Sequence, residues 1–321
     1  MIAASAPGKL MLAGEYVVLE RKLQAVAVAV QRRLRVEIVP GPGPWRVTAS
    51  QLGLSEAALD SVPVLREVVR RVAGRIDGGR ITVESELGAG PGKPGLGASA
   101  ALCVAAYGAL SLIEGAVVPG AGGPLPLLLE AHRAAQGGRG SGYDVATALT
   151  GGLVMFDPTT LVVTPLAWPR GLHAAVFTCG QGAKTVDYLA RVESWREEDP
   201  ESFEACVDPF AAETEDLVRA FQKGDVGWIL GAAAQVQEEL ATFDRIGEIG
   251  ILAAGQHQLL GAIEDAGAVG RTSGAGGGDS VWALADDADT LDRAAQAAAE
   301  LGFQRVEVAF PGEGLRVGAD A

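Results

Sequence analysis

The chain has 321 residues, 48% of them hydrophobic but only 5% aromatic, with 44 glycines and a formal charge of −14. This is the composition of a packed Ala/Val/Leu protein with many backbone-defined loops, which excludes a disordered or fibrous chain. The acidic balance, with no basic run longer than pairs such as Arg32-Arg33 or Arg70-Arg71, excludes a nucleic-acid or anionic-membrane surface, so an anionic ligand must be held by a local positive site.

The first half begins as a strand, a tight loop and a return over residues 5–39. Ser5-Ala6-Pro7-Gly8-Lys9 leads into the apolar run 10–19, where Gly14-Glu15-Tyr16 reads as a bulge or bend aiming polar side chains inward; residues 25–30 and the alternating Leu34, Val36 and Ile38 follow. Residues 45–49 add a strand. Ser55 is expected to cap a helix carrying Leu65, Val68, Val69 and Val72 at helical spacing, with Pro63 marking a break. A strand at 81–85 delivers the chain to Gly90-Pro91-Gly92-Lys93-Pro94-Gly95-Leu96-Gly97, and Ala98-Ser99-Ala100-Ala101 opens a long helix, apolar almost all round and therefore buried. A helix at 125–135 ends at Gly137-Gly138. Arg139-Gly140-Ser141-Gly142 then enters another helix with Asp144 in its first turn. Strands follow at 153–156 and 161–165, and Trp168-Pro169 with Gly171 marks a seam that divides the chain into domains 1–168 and 169–321.

The second half opens with a strand at 172–178 and the loop Cys179-Gly180-Gln181-Gly182-Ala183-Lys184-Thr185. Helices are predicted from Val186 and over 200–222, 225–242 and 248–266. A glycine loop, Ser273-Gly274-Ala275-Gly276-Gly277-Gly278-Asp279, then precedes the strand 281–285, a helix at 288–301 and strands at 305–310 and 315–318. The order of elements is α+β. Cys103, Cys179 and Cys206 lack CxxC spacing and read as small buried hydrophobes of a reducing compartment, and three scattered histidines do not suggest a zinc site. The start, MIAASAPGKL, lacks a basic segment followed by a sustained apolar one, so a cytoplasmic chain is expected.

The chemistry concentrates in the loops. Glycines let backbone N–H groups approach an anion closely, and a helix N-terminus adds unpaired donors and the positive end of its dipole. Residues 90–101 thus read as a phosphate cradle or, on this stretch alone, as a Gly-rich turn before a core helix. The GxxxxGK[ST] pattern and a strand–GxGxxG–helix unit are both absent. The chain prefers Arg, yet of its five lysines Lys9, Lys93 and Lys184 fall in Gly-, Pro- or Ala-rich loops, where a compact ammonium serves better than a planar fork. Asp144 reads as an ordinary helix N-terminal acid or as the group that faces a phosphoryl acceptor.

Three motifs resemble the GHMP kinases: residues 5–20 (SAPGKLMLAGEYVVLE), 91–102 (PGKPGLGASAAL, against PxxxGLGSSAA) and 271–284 (RTSGAGGGDSVWAL). The likeness spans essentially the whole chain. Residues 131–148 (AHRAAQGGRGSGYDVATA) are most similar to the phosphomevalonate kinase branch, whose members carry AHxxAQGxxGSGxDVA, and the HGxPSGxDN pattern more usual in mevalonate kinases is missing. The resemblance implies a two-domain α+β fold, with a ribosomal-S5-domain-2-like ATP and phosphate domain followed by a ferredoxin-like domain. It implies ATP and Mg²⁺ as cofactors, Asp144 and Lys9 as catalytic residues, and Lys93, Gly95, Leu96, Gly97, Ala98, Ser99 and Ala100 at the phosphates. Ser99 matches the second serine of GLGSS, a hydroxyl near Mg²⁺, whereas Ala98 replaces the first. Gly14, Glu15, Tyr16, Arg139, Ser141, Lys184, Thr185, Ser273, Gly274, Ala275 and Gly276 are implied around the substrate. Lys184 stands where the family usually has Ser. Glu130 is the only acid near the place of the family's magnesium carboxylate, and the sequence does not fix its register.

The expected reaction is ATP-dependent phosphorylation of (R)-5-phosphomevalonate in the mevalonate route to isoprenoids, because Lys93, Arg139 and Lys184 exceed what a monocarboxylate needs. Mevalonate kinase is the alternative, and a catalytically inactive small-molecule sensor is a third reading. The partners expected are small molecules, with no nucleic acid or membrane, in a monomer or homodimer.

Overall fold

The computed structural model describes residues 2–74, 76–88, 94–115, 123–178, 185–274, 276–277 and 280–318. Its N-terminal strand β1 (Ile2–Ala13) is buried over almost its whole length and runs antiparallel to the long β2 (Ala25–Pro40), with α1 (Val17–Glu20) in the connection. Then come β3 (Arg46–Ala49), β4 (Leu54–Ala58), α2 (Pro63–Val72) and β5 (Gly79–Ser85). The helices α3 (Ala98–Ile113), α4 (Leu125–Ala135) and α5 (Tyr143–Thr150) precede β6 (Leu153–Phe156) and β7 (Val163–Leu166). The rest of the chain is β8 (His173–Thr178), α6 (Thr185–Glu198), α7 (Pro200–Lys223), α8 (Val226–Gly247), α9 (Ala254–Asp265), β9 (Val269–Thr272), β10 (Ser280–Ala285), α10 (Ala288–Glu300), β11 (Gln304–Arg305) and β12 (Arg316–Val317).

Two sheets result. The larger has the order β12-β1-β2-β5-β3-β4, with β6 pairing the first residues of β2 and β7 pairing β6; the smaller is antiparallel, in the order β11-β8-β10-β9. Helix α3 is buried from Ala100 to Ser111 and packs on β1 and β2, as its apolar sequence requires. Gly108 makes room for the chain's end: a Cβ there would lie 2.8 Å from Leu315 Cδ1 and 3.0 Å from Val317 Cγ1. The core is continuous from β1, β2 and α3 into α7 and α8. One aromatic cluster lies at that join, where Phe243 meets Tyr16 at 5.7 Å, Trp195 at 5.0 Å and Phe210 at 5.7 Å between ring centroids.

Three expectations from the sequence differ from the structure. Residues 54–58 pair with β3 instead of starting a helix at Ser55, and Pro63 opens α2 at a position where its missing N–H costs nothing. Helix α9 begins at Ala254, not near 248, because the buried Asp244 carboxylate accepts the N–H groups of Ile251 (2.7 Å) and Leu252 (2.8 Å) and holds them in a loop. The closing strands β11 and β12 are two residues long each, and β12 returns to pair with β1 in the larger sheet. Cys103 and Cys206 are free and buried, and burial pushes the Cys103 thiol well above its ordinary pKa.

Candidate functional site

Lys9 stands on β1 just past a register shift between Pro7 and Lys9, with its backbone N–H donated to the Leu96 carbonyl at 2.9 Å. This ties the strand to the glycine loop that caps α3. The Lys9 stem runs across Gly97, where a Cβ would lie 2.8 Å from Cε and 2.9 Å from Cγ; Gly97 also has φ +76°, so only glycine fits. Lys9 is 7% exposed, and its ammonium sits 5.3 Å from the centroid of the Tyr143 ring. Burial raises the Tyr143 pKa and the Asp144 and Glu15 charges push the same way, while Lys9, also hydrogen-bonded to the phenol, pulls it down.

The entry to α5 is built by close packing. A Cβ on Gly142 (φ +97°) would lie 2.2 Å from Leu129 Cδ2 on α4, so glycine lets the two helices meet. Arg133 of α4 donates to the carbonyls of Gly140 and Ser141, both at 2.9 Å, and pins the loop ahead of Asp144. Asp144 Oδ1 accepts its neighbour Val145 N–H at 2.9 Å, and Oδ2 lies 4.0 Å from His132 Nδ1. On the other side of that ring, Nε2 is 3.0 Å from Ser99 Oγ in the first turn of α3.

The second half of the chain closes on the same strand. Ser273 Oγ accepts from Met11 N–H at 3.0 Å, Trp282 Nε1 donates to the Met11 carbonyl at 2.9 Å, and Ser280 Oγ bonds the Pro94 carbonyl at the edge of the cradle. A Cβ on Gly274 would be 3.7 Å from Tyr143 Oη, which places the C-terminal glycine loop beside the ring that Lys9 covers. Gly276 (φ +78°) approaches Ile251 so closely that a Cβ would lie 2.4 Å from Ile251 Cγ2.

The structure therefore brings Lys9, Gly97, Asp144 and Gly274 around Tyr143, with Ser99 one imidazole away from Asp144. Gly95 is in the left-handed region at φ +61°, Leu96 is buried, and Ala98 and Ala100 lie in the first turn of α3. Gly14 (φ +113°) and Tyr16 (φ +58°) form the elbow after β1, and Glu15 between them is wholly buried, its Oε2 2.8 Å from Arg271 Nη2. Ser141 is buried, whereas Arg139 is half exposed and ion-paired with Glu193 at 3.0 Å. Arg139 also lines a cavity of about 310 Å³ with Arg133, Arg196, Glu20 and Leu19. Lys93, Lys184 and Ala275 lie outside the described residues; Thr185 opens α6.

Sequence reasoning passed over His132 and Arg271. Glu130 is exposed on α4, and the residue that α4 turns toward the site is His132, 2% exposed. Its signal was its spacing, because His132 continues the buried stripe of Leu125, Leu128 and Leu129 at helical intervals. Among the described residues no helix is long and apolar enough to cross a membrane.

The family model described as "GHMP kinases N terminal domain" matches residues 62–152, and "GHMP kinases C terminal" matches residues 217–303, together more than half of the chain. A phosphomevalonate kinase of Streptomyces sp. (strain CL190) is 28% identical over 89% of this chain and 90% of its own length. A mevalonate kinase of Aeropyrum pernix is also 28% identical, over 98% of this chain and 97% of its own. Among solved structures, Streptococcus pneumoniae phosphomevalonate kinase in complex with phosphomevalonate and AMPPNP superposes with a TM-score of 0.80 at 21% identity, covering 96% of this chain and 99% of that one.

Proposed function

This chain belongs to the GHMP kinase family, and from that premise we propose that it is a mevalonate-pathway kinase that transfers the γ-phosphoryl group of ATP to the phosphate of (R)-5-phosphomevalonate. The observation that carries the reading is the Lys9 ammonium, held between the α3 glycine cap and the Tyr143 ring in the turn that bears Asp144. Phosphoryl transfer needs positioning and charge neutralisation more than covalent help from the protein. A phosphate oxygen of the acceptor attacks the γ-phosphorus, the bond from that phosphorus to the β-bridging oxygen breaks, and ADP leaves as the diphosphate forms. Lys9 balances the charge carried by the transferring group. The acceptor oxygen is already ionised near neutral pH, so Asp144 orients the acceptor and Lys9 and removes no proton.

ATP is assigned to the Gly95–Gly97 turn and the α3 N-terminus, whose free N–H groups suit its phosphates. Magnesium fits the hard oxygens of Ser99 and Asp144 when phosphates and water complete its shell; among the described residues, no three His, Cys, Asp or Glu side chains make a protein-only site. When bound, the ion would draw charge from the phosphates. The phosphorylated acceptor is favoured by the likeness of residues 131–148 to phosphomevalonate kinases; the cavity beside their loop adds little unpaired positive charge, because its Arg139 and Arg196 are paired with Glu193 and Glu20. Mevalonate as acceptor is the second reading, supported by full-length relatives named mevalonate kinase, and it would make Asp144 a general base.

The test is ADP release from Mg-ATP, with mevalonate and 5-phosphomevalonate compared at equal concentrations. Turnover with phosphomevalonate alone is expected. Turnover with mevalonate alone would transfer the assignment to the second reading, and no ADP with either acceptor would end both.

A further inference from the structure

The imidazole of His132 has a place in this site that the proposed phosphoryl transfer does not by itself require. It is buried on the inner face of α4, between the first turn of α3 and the first turn of α5. Its Nε2 faces two groups: Ser99 Oγ at 3.0 Å and the side-chain amide nitrogen of Gln136, one helical turn on, at 3.3 Å. With the Gln136 amide nitrogen toward Nε2 and the acceptor-only Asp144 carboxylate on the Nδ1 side, the arrangement is satisfied by a ring proton on Nδ1 and an Nε2 lone pair shared between the nearer Ser99 hydroxyl and the amide. Nδ1 points to Asp144 Oδ2 across 4.0 Å, an electrostatic contact longer than a hydrogen bond.

We propose that His132 is a positioning residue that acts through Ser99 and Asp144: held as the Nδ1–H tautomer, it accepts the Ser99 hydroxyl proton and turns its own N–H toward the carboxylate. Two consequences follow from the donor and acceptor inventory. Ser99, with its proton committed to Nε2, presents oxygen lone pairs to the cradle, where the backbone N–H groups of α3 already supply donors. Ser99 thus serves as an acceptor or oxygen ligand in a place otherwise made of donors. Asp144 is held at Oδ1 by the Val145 N–H, and its Oδ2 faces the imidazole N–H dipole across 4.0 Å, which biases the carboxylate plane before substrate arrives. One side chain thereby fixes the polarity of the nucleotide end and the orientation of the acceptor end. The inference rests on the kinase reading for its catalytic consequence, but the tautomer stands apart from it.

The tautomer is read directly from the ring nitrogens of the ¹⁵N-histidine-labelled full chain, in which only three imidazoles need assignment. His132 is expected to carry its proton on Nδ1, with the Nε2 resonance moving in Ser99→Ala; a proton on Nε2 would overturn the proposal. Two variants then separate its two arms. His132→Gln can place an amide oxygen near the Nε2 position and keep the Ser99 bond, so affinity for a non-hydrolysable ATP analogue should stay close to wild type while kcat falls about 10–100-fold, the usual effect of losing an orienting partner. His132→Asn keeps an amide nitrogen near Nδ1 but cannot reach Ser99; analogue affinity should fall, and adding Ser99→Ala should lower it no further. Wild-type kcat and affinity in both variants, or fully additive losses in the double variant, would contradict the proposal. Absence of turnover in the wild-type protein would instead fall on the kinase reading and leave the tautomer measurement to judge His132.

Discussion

Gly97 shows how much of this site depends on single atoms. A methyl group there would meet the Lys9 stem at 2.8 and 2.9 Å and would also impose a left-handed conformation on alanine. Gly97→Ala is therefore expected to cost about 1–3 kcal/mol of stability from backbone strain and to move the ammonium off Tyr143, so that turnover falls further than the loss of stability explains. Chemical denaturation and steady-state kinetics on the same preparation check both parts. Asp144→Asn keeps the shape of the carboxylate and removes its charge; a fall of roughly a hundredfold in kcat, the scale of a lost orienting group, with nucleotide binding retained is expected, and unchanged turnover would remove Asp144 from the site. Lys9, Ser99 and Asp144 were named from the sequence through the resemblance of residues 5–20, 91–102 and 131–148 to GHMP kinase motifs, since on local pattern alone Asp144 reads equally as an ordinary helix N-terminal acid. His132 was not, because a histidine on an apolar stripe reads equally as core, and only the packing of α4 against α3 and α5 shows what its nitrogens meet.

At the scale of elements, α2 carries the clearest pH signature. Its buried Glu67 bonds Arg71 and lies within salt-bridge distance of Arg66 and Arg70; the Arg71 bond is the main cause holding its carboxyl below the ordinary value, although burial opposes it. A carboxyl depressed in the folded state stabilises fully above its unfolded pKa of about 4.3, and that contribution is lost as pH falls through the lower folded value. Wild type should therefore be more stable than Glu67→Gln at pH 6, and the urea midpoints of the two should converge as pH drops below about 4; a gap independent of pH would contradict the assignment. The long elements were legible because α3 is an unbroken apolar run, while α7 and α8 repeat their apolar residues at helical spacing between clear breaks. The misplaced starts near residues 55 and 248 share one cause: a nearby partner outside the helical pattern, the neighbouring strand β3 in one case and the Asp244 carboxylate seven and eight residues earlier in the other, decided the backbone.

Across the whole molecule, the seam between the two sheets crosses the strand that bears Lys9. Met11 is bound by Ser273 and Trp282, and Glu15 by Arg271, a contact 256 residues apart that no local pattern announces. The Glu15–Arg271 pair is fully buried, and among the described residues Glu15 Oε1 and Arg271 Nε and Nη1 have no partner. Arg271→Met leaves a buried carboxylate alone and should cost about 3–5 kcal/mol, whereas Glu15→Met with Arg271→Met should recover most of that loss; a urea-denaturation cycle measures the coupling, and additive losses would show that the pair does not act as a unit. Whether this seam holds ATP against a phosphorylated acceptor is read by ³¹P NMR of an equimolar mixture of mevalonate and 5-phosphomevalonate turned over with Mg-ATP. The phosphomonoester signal of phosphomevalonate is expected to give way to the two coupled resonances of a diphosphate ester while mevalonate is left unphosphorylated. Growth of a new monoester signal from mevalonate, with phosphomevalonate unchanged, would contradict that assignment.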